Sequence, residues 1–301
     1  MNIAITGGTG FVGTALTMSF LKNGHNVYIL TRHQKPSNEN GLHYVQWLSE
    51  GSQPEAELEN MDVFINLAGE SINSGRWTEA RKEQIYNSRI HSTREVIRIL
   101  SVVKKKPSVL ISASAIGFYG ISRKETFTEK NTKHGHDFLA ETVRSWEEEA
   151  KVAQTLGIRT VFSRFGIILG DKEGALPKIV RPYRFFAGGT VGSGAQWVSW
   201  VHIDDVVGMI HFAIENSVIE GPINVVAPHP AMMKDFGKSI AKVIHRPHWL
   251  PAPSPAIKLL LGEMSILVLE GQKVLPEKAE KNGYQFAHSS LDEALTSILQ
   301  Y

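Results

Sequence analysis

The chain has 301 residues, 42% hydrophobic and 21% charged, with 32 basic side chains against 30 acidic ones and no cysteine. That is enough apolar content for one large globular unit or two intimately joined ones with a substantial core. A net charge of +2 spread along the chain, with Lys104, Lys105 and Lys106 as the longest basic run, offers no basic stripe for nucleic acid; the lack of cysteine excludes disulfides, thiol chemistry and thiolate zinc sites.

Residues 3–5 form a short apolar run that leads into Thr6-Gly7-Gly8-Thr9-Gly10-Phe11-Val12-Gly13, and an amphipathic segment follows over 14–23, stopped by Gly24. Strand, tight turn and helix in that order predict the opening of a dinucleotide-binding βαβ unit, with Gly8-x-Gly10-x-x-Gly13 as its fingerprint. The early glycines, Gly7 and Gly10 among them, allow a sharp turn and let the backbone amides through Thr9, Phe11 and Val12 approach a pyrophosphate. Gly13 permits close helix–strand packing, and the helix N-terminus adds partial positive charge. Further strands are expected over 26–30, 43–47 and 62–68, the last ended by Gly69. Leu67, Ala68 and Gly69 leave room for a ligand at that strand's end.

A helical region spans 78–104, with an interruption allowed near Asn87 and Ser88, and Pro107 breaks it. A fifth strand covers 108–114, a helix 137–156 and a sixth strand 159–165. Residues 170–200 are rich in glycine and proline; a short strand at 201–203 follows, then a helix to about 216 capped by Asp204 or Asp205. Residues 223–227 return to a buried strand, and the remainder is helical with proline-rich joints. The alternation predicts an α/β fold: a doubly wound parallel sheet of the NAD(P)-binding Rossmann type, with an interleaved smaller C-terminal lobe. Residues 1–227 are assigned to the Rossmann domain, 170–200 contributing to a substrate lobe, and 228–301 to the C-terminal lobe. No stretch approaches 18 apolar residues, so neither a membrane span nor a signal peptide is expected, and the cytoplasm is the expected compartment.

The end of the second strand selects the cofactor. Leu30-Thr31-Arg32-His33 holds no acid to bind a ribose 2′-hydroxyl, and Arg32 suits a 2′-phosphate, so NADP(H) is expected rather than NAD(H). No metal site is expected, since the scattered histidines show no ligand spacing.

Taken together, Thr6-Gly7-Gly8-x-Gly10-Phe11-x-Gly13, Asn66-Leu67-Ala68-Gly69, Ser112-Ala113-Ser114 and Val201-His202-Ile203-Asp204-Asp205 resemble the extended short-chain dehydrogenase/reductase superfamily. Arg76-Trp77-Thr78, Ser88-Arg89, Trp146-Glu147, Arg164-Phe165-Gly166 and Val274-Leu275-Pro276, among others, narrow the resemblance to its atypical branch, the epimerase family proteins. These are NAD-dependent epimerase/dehydratase-like, with a C-terminal domain of unknown function. The resemblance implies that Arg164 and Phe165 lie beside the nicotinamide. It also implies pairing through the long helices after the fourth and fifth strands as a homodimer. Typical members use a Tyr-x-x-x-Lys pair with a serine and an asparagine, the lysine lowering the tyrosine's pKa. Here Leu139 falls at the tyrosine position, Val143 at the lysine and Arg89 about at the asparagine; only the serine has a counterpart, Ser114. Tyr119 is the nearest phenol. Ser114 and Tyr119 are therefore the catalytic candidates, and Gln196 and Trp197 are candidate substrate contacts in a pocket for an unidentified small molecule, a polar carbonyl or sugar-like compound. The competing expectation is a non-catalytic NADP(H) sensor or binding protein.

Overall fold

Seven strands run parallel in the computed structural model, which describes residues 1–33 and 35–300. They are β1 (Asn2–Thr6), β2 (Asn26–Thr31), β3 (Leu42–Gln46), β4 (Val63–Asn66), β5 (Val109–Ala115), β6 (Arg159–Phe165) and β7 (Gly221–Val225). Their order is β7-β6-β5-β4-β1-β2-β3, so the winding direction reverses between β1 and β4. This is the doubly wound α/β sheet read from the sequence, and the reversal opens a crevice at the strands' carboxyl ends. β7 begins two residues earlier than expected and includes Pro222; as an edge strand it tolerates a residue with no N–H to donate.

Helices cover both faces, as right-handed crossovers require. They are α1 (Phe11–Lys22), α2 (Glu79–Val102), α3 (Phe138–Thr155), α4 (Leu176–Arg184), α5 (Ile203–Glu215) and α6 (Met233–Val243). Because side chains alternate along a strand, Ile3 and Ile5 pack with Leu16 and Phe20 of α1 and Met209 and Ile210 of α5. Ala4 faces the other way, with Phe64 and Leu110, onto Val96, Ile99 and Leu100 of α2.

Two local expectations are corrected. Helix α2 is continuous through Asn87 and Ser88: the Ser88 hydroxyl donates to the Ile85 carbonyl and accepts the Glu70 amide, so its polar group is satisfied without breaking the helix. Helix α5 is capped by His202, whose Nδ1 accepts the Asp204 amide, and not by Asp204 or Asp205.

A further core joins Leu176 and Val180 of α4 to Trp200, Phe236 and Ile240 of α6, and Leu295 of the last helix. Short pairings outside the seven-stranded sheet tie together the segments that surround it. Trp200–His202 runs parallel to Ile167–Leu169, Trp197–Val198 antiparallel to Ala231–Met232, and Lys273–Val274 parallel to Thr126–Phe127. Two of these join segments before residue 228 to segments after it, so the smaller lobe is interleaved with the sheet. No helix among the described residues is long and apolar enough to cross a membrane.

Candidate functional site

A cleft of about 530 Å³ lies over the carboxyl ends of β1, β4, β5 and β6. Its floor begins at the glycine loop. Gly7 has φ +66°, and a Cβ at Gly13 would stand 2.2 Å from the Gly7 carbonyl oxygen, so neither position admits a side chain without moving the turn. Gly10 starts α1 with no side-chain cap. The first amides of the helix, at Phe11, Val12 and Gly13, have no intrahelical acceptor. Charge and donors together make this end of α1 a seat for an anion.

The adjoining strand end is fixed from beneath. Thr6 donates its hydroxyl to Asn66 Oδ1 (2.7 Å) and accepts the amides of Leu67 and Ala68. Asn66 donates on to Thr93 of α2, and Trp146 of α3 donates its indole N–H to the same Thr93 oxygen (2.9 Å each). This buried chain sets the position of Leu67 and Gly69 above and Trp146 beside them.

Of the residues read from the sequence, Gly7, Gly10, Phe11, Val12, Leu67, Gly69, Ser114, Phe165 and Trp197 line this one cleft. Six do not. Thr9 is exposed on the loop, Ala68 packs toward the core under the sheet, and Arg32 stands exposed just beyond β2. Gln196 is fully buried: its Nε2 donates to the carbonyls of Val191 and Val268, tying two loops together. The remaining two, Tyr119 and Arg164, belong to a polar network behind the cleft.

That network follows from strand register. Ser114 of β5 is level with Arg164 of β6, which is level with Asn224 of β7. Parallel neighbours in register point to the same face. Arg164 donates from Nε and Nη2 to the two carboxylate oxygens of Glu147 on α3 (2.8 Å each) and from Nη1 to the Tyr119 hydroxyl (3.0 Å). Tyr119 in turn donates to Asn224 Oδ1 (2.7 Å). Burial works against the Arg164 charge, but the Glu147 carboxylate outweighs it and holds the pKa above the ordinary arginine value. Burial likewise pushes the Tyr119 phenol up, against the pull of Arg164. A phenol held neutral, 4% exposed and bonded on both sides is placed to brace the network, not to exchange protons with a ligand in the cleft.

Ser114 links network and cleft: its hydroxyl donates to Glu147 Oε1 at 2.6 Å while the residue lines the cleft wall. Leu139 and Val143 also line the cleft, at the positions where the family resemblance places a tyrosine and a lysine. Among the described residues the lining includes no tyrosine, histidine or lysine. Its one cation is Arg89, which the sequence marked only by motif position. The opposite wall comes from the C-terminal part of the chain, with Ile266, Leu267, Glu270 and Gln272, which no sequence signal had pointed to.

Among the described residues, two clusters bring metal-ligand atom types within 4.8 Å, His134 with His136 and Glu141, and His202 with Asp204 and His288. In the second, the His202 ring nitrogens already serve the α5 cap and Ser297.

The profile of the NAD dependent epimerase/dehydratase family matches residues 3–226. The chain belongs to that family. A domain of unknown function, DUF1731, matches residues 252–298, the segment that supplies the opposite wall of the cleft. The epimerase family protein YfhF of Bacillus subtilis is 52% identical over 299 residues, covering 99% of this chain and 98% of its own. The crystal structure of human epimerase family protein SDR39U1 (isoform 2), determined with NADPH, superposes with a TM-score of 0.89 at 30% identity, covering 100% of this chain and 99% of that one. A nucleoside-diphosphate sugar epimerase from Corynebacterium glutamicum superposes with a TM-score of 0.80 at 32% identity, covering 99% of this chain and 58% of that one.

Proposed function

We propose that this family member binds NADP(H) across the ends of β1, β4 and β5 and uses it on a small polar carbonyl or sugar-like compound held in the same cleft. The observation that carries the reading is the cradle at the start of α1, where Gly7 and Gly13 leave no space for a Cβ and the first helical residues line the cleft with no side chain capping the helix. A pyrophosphate fits such a seat in shape and charge. Arg32 beyond β2, with no acid beside it in sequence, supports a 2′-phosphate, and so does the NADPH in the human relative's structure.

The bound cofactor would supply hydride chemistry. The chain's own residues then bind, orient and exclude water. Leu67, Phe165 and Ile168 give the cleft apolar walls. Ser114, its proton committed to Glu147, keeps lone pairs free to accept a hydrogen bond from the cleft.

A second reading, a binding protein without turnover, is favoured by one observation: Leu139 and Val143 bring no ionisable group to the cleft. Titration of the purified protein with NADPH and NADH, followed by nicotinamide absorbance over a panel of aldehydes, ketones and reducing sugars, separates the two. Tighter NADPH binding with oxidation by at least one panel member supports the enzyme. Tight NADPH binding with none supports the binding protein, and failure to bind either dinucleotide overturns both.

A further inference from the structure

Arg89, Arg159 and Arg164 are drawn into the fold, and the last two are tied to protein acceptors. Arg159 donates to the carbonyls of Ala213, Ile214 and Ile219, and Arg164 to Glu147 and Tyr119. Arg89 makes one hydrogen bond, from Nη1 to the Ile85 carbonyl (2.9 Å), and no ion pair among the described residues. Glu70, the acid whose charge acts on it, is held by Arg81 at 3.3 Å. Desolvation brings the Arg89 pKa down to about 10, which leaves a cation at neutral pH.

Its position is built and held. The guanidinium lies over the Trp146 ring, 5.2 Å from the centroid, and that ring is pinned by its bond to Thr93, one turn along α2 from Arg89. The missing side chain of Gly69 also makes room: a Cβ there would stand 3.2–3.5 Å from the Arg89 Cγ, Cζ and Nε atoms. A guanidinium held against an aromatic face and close to bare backbone, with most of its five donors unfilled, is poised for a planar oxyanion. Leaving a desolvated charge without a counter-charge is unfavourable, so the site is built for a ligand that supplies one.

We infer that Arg89 is the anion-binding residue of the cleft, and that it receives a carboxylate carried by the substrate. The inference rests on the reading of the cleft given above, and that reading also names the source of the charge. The cofactor's pyrophosphate belongs at the start of α1, beyond β1. Arg89 lies beside Gly69, just past the end of β4, and against Trp146 of α3, so it stands one strand across the sheet from β1, about 5 Å at ordinary strand spacing. The substrate class is thus a carbonyl or hydroxyl compound that also bears a carboxylate.

The test uses the full-length protein with and without saturating NADPH, and ligand-detected NMR with pyruvate, 2-oxoglutarate and glucuronate against their methyl esters. Wild type, Arg89→Lys and Arg89→Gln are compared, and thermal melting establishes that each is folded. The expected result is that at least one acid binds wild type about tenfold or more tightly than its ester, the effect of losing charge-assisted bonds. Arg89→Gln should erase that preference, Arg89→Lys should keep part of it, and NADPH affinity should change less than about threefold. Acids and esters binding alike, or neither binding, overturns the inference. So does a tenfold loss of NADPH affinity in Arg89→Gln, which would assign the residue to a cofactor phosphate. Failure of wild type to bind NADPH overturns the functional reading instead, and the acid-over-ester preference without NADPH then decides the Arg89 assignment alone.

Discussion

Arg164 and Glu147 form a two-pronged ion pair beneath the cleft, their side chains only 4% and 11% exposed. Removing one partner strands the other's charge in the interior, which costs about 3–5 kcal/mol. Arg164→Ala should therefore lower the denaturant midpoint by the equivalent of that amount, and a double change to Arg164→Met with Glu147→Leu should recover part of it. A midpoint for Arg164→Ala equal to wild type would show that the pair contributes nothing.

Tyr119→Phe separates bracing from chemistry. The change leaves Asn224 Oδ1 without its donor and should destabilise the protein by about 1–3 kcal/mol. NADPH affinity, and any turnover, should be unaffected once measured below the melting range. A large drop in rate with unchanged stability would reinstate the phenol as a reacting group.

Gly13→Ala tests the cradle. The added Cβ meets backbone at 2.2 Å, which no rotamer relieves, so the turn must shift. NADPH affinity by calorimetry should fall by about tenfold or more, equivalent to ~1.4 kcal/mol. The comparison is Gly24→Ala, where nothing lies within 4 Å of an added Cβ and only the positive φ is strained; it should leave affinity alone.

Arg32→Asp should weaken NADPH by roughly ten- to a hundredfold, the range for a charged hydrogen-bonded contact, and leave NADH within a few-fold. Equal losses for the two dinucleotides would detach Arg32 from the 2′-phosphate.

Stability should fall on mild acidification. Burial lowers the His202 pKa below its ordinary 6.5; the neighbouring His288 adds to this, while Asp204 and Asp205 oppose it. Burial moves His211 and His248 in the same direction. A lowered folded-state value means that the unfolded chain takes up the proton first. The stabilisation is complete above about pH 6.5 and is lost as the pH drops through the folded values. Protonation of His202 Nδ1 also breaks the α5 cap. The melting temperature should decline as the pH falls below about 6.5, and His202→Asn, which retains a capping side chain, should flatten part of that decline.

Much of this architecture is legible in the chain because the physics is local. Continuous apolar runs such as Ile3–Ile5 and Val109–Ile111 have no alternative to burial on both faces. The glycine loop is legible because its sterics involve residues six positions apart. What the sequence hides is direction. Arg164 ends a strand beside the cleft, yet Glu147 on the neighbouring helix draws it underneath. Tyr119 closes a 3-10 turn over 116–119 before Gly120 at φ +73°, and that turn carries the ring inward. Two-residue strands such as Lys273–Val274 exist only because a partner lies far away in sequence. Arg89 had a readable signal after all: with Ile85, Thr93 and Val96 it sits on the inward stripe of α2, where an arginine breaks the apolar pattern.

The cap region of α5 carries one more consequence. Asp205, 1% exposed, accepts the amides of Ala287 and His288 and the hydroxyl of Tyr284. All its long-range donors come from about 80 residues further along, so any fragment ending before residue 284 leaves that carboxylate sequestered and unanswered. A chain emerging from the ribosome thus has its sheet strands before it has the means to settle α5 against them. The seating of α5 on the sheet is thus completed by the 284–288 segment, long after the strands themselves have been made.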